Sequence, residues 1–303
     1  MAAATAAAAV AQRVRPNTAR TWSRWWPIAA VGAAALVGGG IYVASQSGDS
    51  GSAARAGAPY VGGDLHTVTV IDGRLYVGGH DGVAESTNEG MSWRAVPSLK
   101  GADAMGWGQT RSGLLVGGHP GLYRSTDGGA TFVKATGDSQ LGDIRAVGAA
   151  GDTVYAVSPQ AGLFSSSDGG ATWASRNPTV GQTFMGTILV DPADPEYLIA
   201  PDMQSGVVTS NDGGRTWTVL GGPGGTMSLA WDTTDRRRLI AVGMDGGALS
   251  RDHGVTWTDL QLPDGTSAAT FSDDGTTMYA AALDGDAARV YASVDGGQTW
   301  SEL

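Results

Sequence analysis

Residues 125–132 read STDGGATF, and the octapeptide returns as SSDGGATW at 166–173, SNDGGRTW at 210–217, SRDHGVTW at 250–257 and SVDGGQTW at 293–300. A divergent copy, STNEGMSW, occupies 86–93. The third position of each copy is Asn88, Asp127, Asp168, Asp212, Asp252 or Asp295, spaced by 39, 41, 44, 40 and 43 residues. A period of that length marks a repeat architecture, in which each unit buries its apolar face against the next.

The segments between copies share one pattern. Ahead of the copy at 166–173 run IRAVGAA, a Gly-Asp turn, TVYAVSP and GLFSSS, and TWASR follows. Apolar residues alternate there between Gly, Asp, Asn and Pro punctuation, which predicts four short antiparallel strands. Four-stranded units of about 41 residues repeated radially are propeller blades. Six of them fill residues 60–303, so the expected fold is an all-β six-bladed propeller with no room for a second domain. The 48 glycines in 303 residues suit a chain that turns often.

Before the repeats lies a segment of another kind. Residues 25–44, WWPIAAVGAAALVGGGIYVA, carry no charge and are long enough to span a hydrocarbon core of about 30 Å. Trp22, Trp25 and Trp26 mark one boundary and Tyr42 the other. Arg13, Arg15, Arg20 and Arg24 precede the span, and the first acid is Asp49. The expectation is a cytoplasmic tail (1–24), a transmembrane signal anchor (25–44), a flexible linker (45–59) and a propeller outside the cytoplasm. The alternative is secretion after cleavage of the same segment.

From residue 60 onward there are 28 Asp/Glu against 14 Lys/Arg. A domain this acidic repels phosphate backbones, which argues against nucleic acid as a partner. The chain has no Cys, which excludes disulfides, thiolate metal sites and a Cys nucleophile. Nothing in it calls for a resident cofactor.

The repeated octapeptide reads as a turn. Its Asp can accept backbone N–H bonds, its Gly permits positive φ, and its Trp can pack between neighbouring units. One structural role explains all three residue types, so Asn88 and the five aspartates are expected to build turns rather than to catalyse or bind calcium. The first copy departs at Asn88, Glu89 and Ser92, and the second carries Phe132.

With S-x-D-x-G-x-T-W repeated over 60–303, the chain resembles the Asp-box (BNR) propellers: sialidases, sortilin-type receptors and photosystem assembly factors. Through DAMGWGQTRSGLLVGGHPGLYRSTDGGATF and its two Gly-Gly-His loops it also resembles bacterial membrane-anchored Asp-box proteins often labelled glycosyl hydrolases. The resemblance implies that the boxes join the third and fourth strands of each blade. It also implies that ligands bind on the opposite face, at loops leading into the innermost strand and loops between the second and third strands.

On that mapping the first set of loops holds Asp64-Leu65-His66, Asp103-Ala104-Met105, Asp143-Ile144-Arg145, Phe184-Met185 and Thr226-Met227. The second holds His80-Asp81, His119-Pro120, Asp202-Met203, Met244-Asp245 and Asp284-Gly285-Asp286. Candidate ligand-binding residues are His66, His80, His119, Arg145, Asp81 and Asp245. The three histidines are also candidate metal ligands, with methionine nearby for a soft ion, although Met equally fills irregular gaps in a narrow channel. Asp64, Asp103 and Asp143 recur in three consecutive blades and are candidate hydrolytic acids and bases, candidate ligands of an oxygen-rich cation site, or simply turn caps.

A sialidase mechanism does not carry over. There is no Arg-Ile-Pro segment, Arg145 is the only arginine expected on an inner strand, and none of Glu85, Glu89, Glu196 and Glu302 is placed to activate a tyrosine such as Tyr279 or Tyr291. The first expectation is therefore a non-catalytic recognition or scaffold module for a protein or glycan. An envelope glycoside hydrolase using paired aspartates and a His/Met metal-binding propeller are the alternatives.

Overall fold

The computed structural model describes residues 57–135 and 139–303. The expected tail, the span at 25–44 and all but the last three residues of the 45–59 linker lie outside the described residues. Among the described residues no helix is long and apolar enough to cross a membrane.

Six antiparallel meanders follow one another around a ring. Blade 1 comprises Leu65–Ile71, Arg74–Gly79, Gly82–Ser86 and Arg94–Ala95. Blade 2 comprises Gly106–Thr110, Gly113–Gly118, Gly121–Ser125 and Val133–Lys134. Blade 3 comprises Ala146–Ala150, Thr153–Ser158, Gly162–Ser166 and Ala174–Asn177. Blades 4 and 5 start at Leu189–Val190 and Ser228–Trp231, and blade 6 runs from Thr266–Phe271 to Ser301–Glu302. In blade 1 the hairpin at Asp72-Gly73 puts both residues at positive φ (52° and 73°), the backbone that matches the twist of a two-residue turn.

The ring is held by six apolar clusters, one at each junction. Tyr76 and Leu99 meet Trp107 and Phe132 between blades 1 and 2. Trp173, Trp217, Trp257, Trp300 and Trp93 occupy the five remaining junctions in turn. The aromatic residue ending each octapeptide therefore packs against the preceding blade. Burying one such ring removes about 150–250 Å² from water, which makes the octapeptide an adhesive between blades as well as a turn.

Blades 6 and 1 close the ring through apolar packing and through backbone bonds. The packing is there, with Val61, Leu65 and Val77 against Ala281, Ala288 and Val290. In addition, Tyr60 bridges antiparallel to Ala287, and the Ala288 N–H donates to the Pro59 carbonyl at 2.8 Å. The third strand of blade 6, Ala287–Ser293, runs past the short last strand and leaves a free edge. The segment ahead of blade 1 satisfies those backbone groups.

The turns themselves carry a recurrent network. Each leading serine is buried: Ser86, Ser125, Ser166, Ser210, Ser250 and Ser293 are at most 5% exposed. In the copy at 250–257 the Ser250 hydroxyl donates to Asp252 Oδ1 at 2.8 Å and accepts the Gly254 N–H at 2.8 Å. Asp252 Oδ1 then accepts the Thr256 N–H, and Oδ2 accepts the Thr256 hydroxyl. The divergent copy changes two partners together: the Asn88 amide donates to Ser92 Oγ at 2.9 Å where the other copies use a carboxylate and a threonine. In the Asp127 copy, hydrogen bonds from the Thr131 hydroxyl and N–H and from Ser125 pull the carboxyl down to about 2. The same threonine-led bonding lowers Asp168, Asp212, Asp252 and Asp295. These carboxylates are committed to their own turns.

Candidate functional site

In an antiparallel meander the turns joining strands three and four lie at one end of the blade. The loops joining strands two and three, and those joining successive blades, lie at the other. His66, His80, Asp103 and His119 are all at this second end, opposite the repeated turns. The inner strands enclose a central channel with a cavity of about 190 Å³, lined by Thr67, Thr69, Trp107, Thr187 and Trp231 among others. Gly186–Thr187, leading into blade 4, pairs in parallel with the first strand of blade 3. A Cβ on Gly106 or Gly148 would collide with the backbone of Gly186 or Ile188, so glycine is what lets these strands approach.

At the mouth of the channel lies a second cavity of about 210 Å³, formed by Asp64, Leu65, His66, Met105, Met185, Gly186, Met227 and Ser267. His66 is largely buried, at 14% exposure, while His80 is open to solvent at 70%. His66 Nε2 stands 3.0 Å from Asp103 Oδ1 and 3.8 Å from Asp64 Oδ2. Asp103 Oδ1 is nonetheless buried without an aligned hydrogen-bond donor. His80 Nδ1 lies 3.9 Å from the other Asp103 oxygen. Burial pushes the His66 pKa down, but the contact with Asp103 and the charges of Asp103 and Asp64 outweigh it, so the net shift is upward.

Backbone bonds hold these side chains in place. The Asp103 N–H donates to the His119 carbonyl, the Ala104 N–H to the Gly79 carbonyl and the Gly101 N–H to the Asp81 carbonyl. The two Gly-Gly-His loops are explained by the same contacts. A Cβ on Gly79 would overlap the Asp64 carbonyl, and one on Gly118 would overlap the Asp103 carbonyl. Glycine is needed because each loop runs directly against the chain entering an inner strand.

The sequence-predicted residues divide accordingly. His66, His80, Asp103 and Asp64 are brought together. His119 is not part of the cluster of donor atoms that His66, His80 and Asp103 form, contrary to the expected three-histidine set. Its part is a backbone one, through the carbonyl bonded to Asp103. Asp81 accepts a hydrogen bond from the Tyr60 hydroxyl at 2.9 Å, a partner that becomes visible only once the ring closes. Asp143 and Arg145 lie in the loop ahead of blade 3, and Arg145 precedes the strand Ala146–Ala150 instead of lying on it. Asp245 is exposed beside Met244, with its N–H bonded to the Gly224 carbonyl.

Neither cavity is lined by a Glu, Tyr or Arg. Glu85 is buried in blade 1 and paired with Arg74 and Arg94, Glu196 pairs with Arg176 and Glu302 with Arg289.

No protein-family model and no curated protein sequence matches the chain. Solved structures do match its fold. A GH74 enzyme from Niastella koreensis superposes with TM-score 0.59 at 16% identity, covering 81% of this chain and 46% of that one. This chain therefore spans less than half of that enzyme's length. YCF48 bound to D1 peptide matches with TM-score 0.51 at 19% identity, covering 81% and 83% of the two chains. A chain of the nidogen/laminin complex matches with TM-score 0.58 at 15% identity, covering 76% and 91%. At these identities the likeness is one of fold: a six-bladed propeller with enzymatic and protein-binding neighbours.

Proposed function

We propose that this chain is a membrane-anchored Asp-box propeller that recognises a protein segment outside the cytoplasm, at the face bearing His66, His80 and Asp103. The anchor is the apolar stretch at 25–44, and the boxes are the S-x-D-x-G-x-T-W turns on the opposite face. The observation that carries the reading is the channel mouth, about 210 Å³ and lined by Met105, Met185 and Met227 beside His66. Pockets that engulf a small molecule measure about 300–1,000 Å³. A smaller, methionine-walled cup fits one side chain of a larger partner, and the thioethers adapt to its shape. The surrounding Asp64, Asp81 and Asp103 favour a segment carrying basic residues.

Recognition is favoured over hydrolysis because Asp64 and Asp103 both address one imidazole nitrogen instead of facing each other across an open cleft. The peptide-bound YCF48 and the nidogen/laminin complex make a protein ligand the natural first test. A photoreactive residue placed at Met185, in the chain expressed in its producing cells, should yield discrete protein adducts. The same residue at Thr131, on the box face, should not. Equal adduct patterns at both positions would defeat the reading, as would a glycan-array signal abolished by Asp64→Asn or Asp103→Asn.

A further inference from the structure

We propose that His66 Nε2, His80 Nδ1 and the Asp103 carboxylate form a binding site for one divalent transition-metal ion of the zinc class. The donor atoms of these three residues all lie within 4.8 Å of one another. Ligands of a tetrahedral zinc ion, with bonds near 2.0–2.1 Å, stand about 3.3 Å apart. His66 and Asp103 already meet that spacing at 3.0 Å. His80 Nδ1 approaches Asp103 Oδ2 at 3.9 Å, and His80 is the 70%-exposed member, free to turn inward.

The donor set selects the ion. Two imidazoles and one carboxylate suit a borderline cation, whereas calcium and magnesium take oxygen ligands. The buried Asp103 Oδ1, without an aligned hydrogen-bond donor, is a negative oxygen that an ion at this point would satisfy. The positions of the donors are set by backbone, not by chance surface proximity. Gly79 and Gly118 let the His80 and His119 loops press against the chain at Asp64 and Asp103, and the Asp103 N–H is tied to the His119 carbonyl. His119 accordingly supports the site through its main chain and donates no ring nitrogen. Three protein ligands leave a fourth position for water or for a donor from a bound partner.

The proposal stands apart from the recognition reading, since a metal-free chain could still capture a protein and a metal-binding chain need not. The purified full-length chain, stripped with a chelator, is titrated with zinc sulfate by calorimetry and with cobalt chloride by visible absorption. One ion per chain is expected, with d–d bands of low-coordinate cobalt. His80→Ala should weaken zinc binding by about 100-fold or more, exceeding the 10–100-fold that loss of an outer-shell partner costs. Because His80 is exposed, its variant should melt like the metal-free wild type, so folding does not confuse the result. His119→Ala should bind as tightly as wild type. Zinc binding that His80→Ala leaves intact, or that His119→Ala weakens as much as His80→Ala does, overturns the assignment.

Discussion

Replacing Ser250 by alanine isolates what the repeated turn contributes. The Ser250 hydroxyl is 1% exposed, and it accepts the buried Gly254 N–H at 2.8 Å while donating to Asp252 at 2.8 Å. Alanine fits the space but supplies no acceptor, so the Gly254 N–H is left buried and unpaired. An orphaned buried donor costs about 1–3 kcal/mol, more than the net value of an ordinary hydrogen bond. For a domain of about 250 residues each kcal/mol shifts Tm by about 2–4 °C, so a fall of about 2–12 °C is expected. The assay is thermal and urea unfolding of the full-length chain, with Thr256→Val as comparison. Thr256 donates to the same carboxylate from an exposed position, where water can replace the lost bond. Ser250→Ala should therefore lower the urea midpoint more than Thr256→Val, with the slope unchanged. If Ser250→Ala is neutral, or Thr256→Val costs more, the buried serine is not the pivot of the turn.

Three further outcomes follow from the same geometry. His253 sits at φ 62° where four other copies place glycine, so His253→Gly should raise stability by about 0.5–1 kcal/mol, the left-handed strain less the entropy of glycine, and a lowered unfolding midpoint would contradict this. Hydrogen bonding holds the Asp127 carboxyl below its unfolded value of 3.8, at about 2, so its contribution is present above 3.8 and is lost as pH falls through about 2. The other depressed aspartates of the repeated turns act with the same sign, and a urea midpoint that stays flat from neutral pH to about 2 contradicts the assignment. Val61 is fully buried in the junction that closes the ring, and Val61→Ala should cost about 1–3 kcal/mol and speed hydrogen exchange at the Ala288 N–H, which bonds to Pro59; unchanged exchange there would show that the segment is not a latch.

The sequence by itself determined the number of blades, their four-strand pattern and the place of the octapeptide at each third turn. It could do so because those features are local and repeated. The Ser, Asp, Gly and Thr of one copy bond to each other within eight residues, and six copies at a regular period leave one ring size. The same locality made the Trp positions readable as contacts between blades. What depended on tertiary structure was every pairing across the ring. Asp103 reaches His66 and His80 of the previous blade, Tyr60 finds Asp81, and the chain ahead of blade 1 completes an edge of blade 6. His80 and His119 occupy equivalent places in their repeats, and sequence treats them alike. The structure separates them: His80 Nδ1 lies 3.9 Å from Asp103 Oδ2, whereas His119 meets that aspartate through its carbonyl, which accepts the Asp103 N–H. Side-chain direction at a loop is set by the neighbour it packs against, and that neighbour is not encoded in the spacing of the repeat.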